Sequence, residues 1–206
     1  MRRSVLVCLT LLGLASAAHA DCSGEVAAAF EKQRNAPAFR MTAEMTAEAG
    51  DTKMTVDYLP PDRMHQTVER ADLPAPLETV AVGNRAWGNQ GGGFEELQPQ
   101  FAQAIIAGVR QTLVDPPQKM PQFTCLGKTT YEGRPFIGYR SEPAAGTPPD
   151  KIVDRTIYIN EKTGLPAMNV VAKREANAKP LFKGVYTYPT DIVIEPIEGA
   201  PVAVSR

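Results

Sequence analysis

From Phe39 onward, apolar and polar residues alternate. Phe39, Met41, Ala43 and Met45 interleave with Arg40, Thr42, Glu44 and Thr46. A period of two sends successive side chains to opposite faces, so this stretch predicts a half-buried strand with one wet face. Ala49-Gly50-Asp51 then reads as a turn, and Met54, Val56 and Tyr58 alternate with Lys53, Thr55 and Asp57. The two runs predict a hairpin. Pro60-Pro61-Asp62 breaks the pattern before a third strand over 64–70 and a proline-rich loop over 71–76. Gly83-Asn84 is a two-residue hairpin turn between strands at 78–82 and 85–88. Beyond Gly91-Gly92-Gly93 a short strand covers 94–97.

The period changes to that of a helix in two places. Ser23 is a candidate N-cap for a short helix carrying Val26, Ala27, Ala29 and Phe30. Asn35-Ala36-Pro37 ends it, because proline disfavours helix in the residue before it. Over 99–114 the residues Phe101, Ile105, Ile106, Val109 and Leu113 fall on one helical stripe, with Gln100, Gln103, Arg110 and Gln111 elsewhere. Asp115-Pro116-Pro117 stops this second helix.

Strands return over 123–131 and 136–141, around a Glu132-Gly133-Arg134 turn. A Pro/Gly/Ala loop covers 142–150. The segments 152–159 and 167–174 pair across the loop at 160–164, whose Gly164 suits a positive φ. Segments 182–188 and 192–197 are expected to finish the sheet, with 199–206 a loose tail. The total is about nine to eleven strands and two main helices, joined mostly by short turns. The fold class is α+β, mainly antiparallel β. Regular strand–helix alternation is missing, which disfavours a doubly wound fold.

The N-terminus changes the picture of where this domain works. Arg2 and Arg3 precede a short apolar run over 5–14, and Ala18-His19-Ala20 offers a small-x-small cleavage site. Residues 1–20 are therefore expected to be a signal peptide cut after Ala20, making the protein periplasmic. The apolar run is too short to span a bilayer, and no later stretch is apolar for long enough. Asp21 before Cys22 is not the small residue a lipoprotein signal needs. The formal net charge of −1 offers no basic excess for nucleic acid. Cys22 and Cys125 are the two cysteines left after cleavage, and an even count in an exported chain predicts one disulfide.

The residues suggest no catalytic constellation. The chain beyond the leader has Ser23, Ser141 and Ser205, with His65 its one histidine and no Gly-x-Ser-x-Gly. Glu95-Glu96 are strand neighbours and point to opposite faces. Gly91–Gly93 lacks the Lys-Ser/Thr of a phosphate loop. Two cysteines and His65 show no metal-ligand spacing. The expectation is a protein that is not an enzyme, with no metal and no cofactor.

Three stretches carry a resemblance. Tyr58-Leu59-Pro60-Pro61-Asp62-Arg63 resembles a strand-end Pro-Asp-Arg. Residues 78–87 resemble an apolar strand followed by Gly-Asn and an aromatic, Trp87. Residues 157–166 resemble a strand followed by a hairpin ending Gly-Leu-Pro. With the order of elements, they make nearly the whole exported chain similar to the LolA/LolB family of periplasmic lipoprotein carriers, in its wider superfamily sense. The cysteine pair is not a general feature of that family.

The resemblance implies a curved, unclosed half-barrel over 21–198, with helices covering its concave face and an apolar cavity between. Candidate cavity residues are Phe39, Met41, Met45, Met54, Val56 and Tyr58, with Val80, Val82 and Trp87 from the next hairpin. The second helix would add Phe101, Ile105, Ile106, Val109 and Leu113. Periodicity alone favours an ordinary packed core, because every half-buried sheet shows this alternation. The implied function is a non-enzymatic binding protein or carrier for a lipid, acyl chain or lipoprotein. The other reading is a protein-interaction module, an envelope sensor or assembly factor with an envelope protein partner.

Overall fold

The computed structural model describes residues 21–47, 50–115, 121–143, 146–148, 151–175 and 178–203. The expected leader lies outside these residues. So do Ala49, Pro116 and Pro117, parts of the 142–150 loop, and the last three residues of the tail.

The elements run α1 (Cys22–Arg34), β1 (Phe39–Met45), β2 (Thr52–Leu59), β3 (Arg63–Arg70), β4 (Leu77–Val82), β5 (Arg85–Asn89), β6 (Phe94–Glu96), α2 (Pro99–Leu113), β7 (Phe123–Tyr131), β8 (Arg134–Ser141), β9 (Val153–Ile159), β10 (Pro166–Lys173) and β11 (Pro180–Thr187). The strands form one 11-stranded sheet in the order β6-β5-β4-β3-β2-β1-β11-β10-β9-β8-β7. Each neighbouring pair of strands is antiparallel. The sheet is open and curved, an α+β half-barrel. Its two edges, β6 and β7, are the strands that flank α2 in the chain, so α2 is the link between them.

The hairpin registers follow the alternation read from the sequence. Phe39 faces Tyr58 and Met41 faces Val56 across β1–β2. Val82 pairs with Arg85 around Gly83 and Asn84, and Gly83 takes a φ of +62°. That left-handed conformation costs glycine little. The long-range pairing of β1 with β11 joins the two meanders.

The helices lie on one face. Val26 and Ala29 of α1 pack on Phe123, Tyr139, Ile157 and Ile159. Ala102, Val109 and Leu113 of α2 pack on Phe39, Val56, Met64, Ala81 and Ala86. The Cys22–Cys125 disulfide fastens α1 to β7.

Three expectations change. Asp21, not Ser23, caps α1, its Oδ1 accepting from the Gly24 N–H at 2.8 Å. Ser23 Oγ instead accepts from the Phe123 N–H at 3.0 Å. Segment 192–197 is not a strand, because β11 already has β1 and β10 on its two sides. It lies across the outer face, where Ile192, Ile194 and Ile197 pack over Val80 and Trp87. The tail is tied down as far as Ala203: Glu96 accepts from the Ala203 N–H and donates to Pro201 O, each at 2.8 Å. The backbone of edge strand β6 needs partners there, and the tail supplies them.

Candidate functional site

A cavity of about 480 Å³ opens at the seam between α1 and α2. Its walls come from several elements. α1 contributes Phe30, β1 contributes Phe39 and Met41, and β2 contributes Tyr58. Phe123 of β7 and Tyr186 of β11 complete the apolar part. Each strand residue belongs to the face that the helices cover, as the alternation requires. Phe39 and Tyr58 stack with ring centroids 4.8 Å apart, and Phe30 meets Tyr186 edge-on at 6.3 Å. The volume falls within the range of small-molecule sites, and five of the lining side chains are aromatic.

Six polar or charged side chains also line the cavity: Glu31, Gln33, Arg34, Gln111, Thr112 and Arg155. Gln33 is buried and lines the cavity; its Nε2 donates to the Tyr188 hydroxyl at 3.1 Å. That hydroxyl donates to Pro166 O at 2.7 Å. Arg155 of β9 and Arg34 of α1 also line the cavity. Arg155 Nε donates to Asn169 Oδ1 at 3.0 Å. Burial pushes the Tyr58 and Tyr186 phenols above the ordinary tyrosine range, opposed at Tyr58 by hydrogen bonding with Thr112 of α2. At Tyr186 the opposing groups are Arg155 and Asn169.

The expected cavity residues fall into five groups. Phe39, Met41 and Tyr58 line the seam cavity. Met54, Val56, Ile105, Ile106, Val109 and Leu113 come together beside it as packed core under α2. Met45 shares the β1 face but sits at the end of the strand, opposite Thr52 and Phe182. Two placements are corrections. Val80, Val82 and Trp87 lie on the opposite face, beneath 192–197, because Ala81 and Ala86 take the helix-facing positions. Phe101 is 60% exposed, because α2 turns Ala102, Val109 and Leu113 toward the sheet.

Sequence reading missed Phe30, Gln33, Phe123, Arg155 and Tyr186 as cavity residues. For Arg155 a signal exists. It keeps step with Ile157 and Ile159 in β9, so a cation stands where the period of two calls for an apolar side chain. The others come together only through pairing across the whole chain.

His65 stays on the outer face, its Nε2 3.1 Å from Glu78 Oε2. Among the described residues no group of three or more His, Cys, Asp or Glu is placed to hold a metal. Among the described residues no helix is long and apolar enough to cross a membrane.

No protein-family model matches the sequence, and no curated protein matches it significantly. Solved structures do. MucB of Pseudomonas aeruginosa, solved with MucA, superposes with a TM-score of 0.50 at 18% identity, over 84% of this chain and 59% of that one. The chain has a LolA/LolB-like fold. An uncharacterized conserved protein from Thermus thermophilus matches this chain with a TM-score of 0.49 at 13% identity, over 87% of this chain and 97% of that one. A putative outer membrane lipoprotein-sorting protein domain from Vibrio parahaemolyticus matches at 0.29 and 9% identity, over 80% and 92%. The chain thus spans less than two thirds of the MucB length. At these identities the likeness concerns the fold.

Proposed function

We propose that this protein is a non-enzymatic periplasmic binding protein or carrier that holds an acyl chain, alone or as part of a lipid or lipoprotein, in the cavity between α1 and α2. The observation that supports this most is the cavity of about 480 Å³ walled by Phe30, Phe39, Met41, Tyr58, Phe123 and Tyr186. An aromatic and thioether lining gains from excluding water and adapts to a flexible apolar chain. The expected signal peptide and the Cys22–Cys125 disulfide fit an oxidising compartment outside the cytoplasm.

The test is native mass spectrometry of the mature protein purified from periplasm, followed by solvent extraction. Acyl species of defined mass, released by solvent, support the carrier reading. A bare polypeptide that takes up no added lipid overturns it.

A second reading has one observation in its favour. MucB has been solved as a complex with MucA, so this scaffold also supports protein recognition. On that reading the protein binds an envelope protein partner. A bare polypeptide mass would shift the choice to it, and quantitative capture with candidate envelope domains would then decide.

A further inference from the structure

Arg155 stands on the helix-facing side of β9 together with Ile157 and Ile159, which are buried beneath α1. An arginine there hides its apolar stem and needs polar partners for its head. One partner is internal: Nε donates to Oδ1 of Asn169, 8% exposed on the neighbouring β10. That bond orients the planar guanidinium and leaves the N–H groups of both terminal nitrogens for other acceptors. Among the described residues no carboxylate pairs with Arg155. Seven other described arginines do pair with an aspartate or glutamate.

Arg155 lines the same cavity as Phe39, Met41, Tyr58 and Tyr186. The other charged side chains lining it are Glu31 and Arg34, one turn apart on α1, so the lining carries a cationic excess. The Tyr186 phenol, Asn169 and Arg155 interact electrostatically. They form a polar cluster on an otherwise mostly apolar wall. A site with an apolar body and one oriented fork of N–H donors matches a chain that ends in an oxyanion.

We infer that the cavity selects anionic amphiphiles, with a carboxylate or phosphate head on the free terminal nitrogens of Arg155 and the chain along Phe39, Met41 and Tyr58. This rests on the reading of the cavity as an acyl-chain site and names the class of chain it takes.

The test is calorimetric titration of the mature protein, at low salt, with decanoate, decyl phosphate and decanol. One or both anions are expected to bind at least about tenfold tighter than decanol, the gain of a charge-assisted bidentate contact. In Arg155→Gln that preference falls to within about twofold, because the head contact is removed. The stronger anion distinguishes a fatty-acid carboxylate from a phospholipid-type phosphate. Equal binding of decanol and both anions, or a preference that survives in Arg155→Gln, overturns the role of Arg155 and leaves the acyl-chain site standing. Binding of none of the three overturns both. If Arg155→Gln does not fold, the wild-type series and Arg155→Lys, which keeps the charge without the fork, decide the question.

Discussion

Cys22 and Cys125 are joined across 103 residues of chain, with their Cα atoms 5.3 Å apart. The bond pins the first turn of α1 to β7, so it holds one wall of the seam cavity against the sheet. α1 also packs through Val26 and Ala29, but its outward side is exposed and its hold on the sheet is local.

The double variant Cys22→Ser/Cys125→Ser is therefore expected to lose stability, by up to about 4–5 kcal/mol on the loop-entropy account. α1 should loosen first, because the α2 core does not depend on the bond. Hydrogen exchange followed along the chain checks this: earlier exchange in residues 22–34 than in 99–113 is the expected order. Equal protection in both helices would show that packing alone secures α1.

Val109 and Phe101 sit on the same helix with opposite environments, 3% and 60% exposed. Val109→Asp buries an unpaired carboxylate in the α2 core and is expected to cost on the order of 3–5 kcal/mol. Phe101→Ser is expected to change stability within about 0.5 kcal/mol. Urea unfolding of both variants measures the difference. Similar costs would mean that α2 is rotated from the orientation described.

Trp87 is fully buried on the outer face, under Ile194. Arg85 stacks over its ring at 4.7 Å. The sheet separates it from the seam cavity. Its fluorescence is expected to be that of an indole shielded from water, and to stay within a few nanometres when the cavity takes up decanoate, since a ligand there does not touch it. A large shift on binding would place the ligand on the outer face.

All six tyrosines have phenols held above their ordinary pKa, with burial as the leading cause. At Tyr139 the hydroxyl also donates to Glu25 Oε2 at 2.5 Å, and that carboxylate opposes ionisation further. The folded pKa values lie above the unfolded value of about 10. Below that pH both states keep their phenolic protons. Above it the unfolded chain loses protons that the folded chain retains, so stability falls as pH rises. Denaturant midpoints should be flat in this respect from pH 8 to about 10 and decline beyond it. Ultraviolet titration should show tyrosinate forming above its ordinary range in the folded protein. Ordinary titration of all six would show that these rings are accessible to water.

Much of the fold was legible because it is local. Alternation and turn residues specify a hairpin within a dozen positions, so Phe39–Tyr58 and Val82–Arg85 pair as the pattern predicts. The α2 stripe at 3.6-residue spacing likewise announces a helix with an apolar side. Alternation says that Ala81 and Val82 point opposite ways, but not which of the two meets a helix. The larger valine looked like the cavity residue, and the structure gives that position to the small alanine, where α2 comes close.

By itself, then, the sequence determined the class of fold, most of its strands and helices, and the cysteine pair available to close it. Each rests on neighbours in the chain or on a count. Tertiary structure alone decided the rest. Pairing of β1 with β11 and closure of the helices over one face brought Phe30, Tyr58, Phe123, Arg155 and Tyr186 into one cavity. Occupation of both sides of β11 sent Ile192, Ile194 and Ile197 across Trp87 instead of into the sheet. These are contacts between residues tens to more than a hundred positions apart. Local periodicity carries no information about them, and only the competition for sheet edges and buried area across the whole chain settles them.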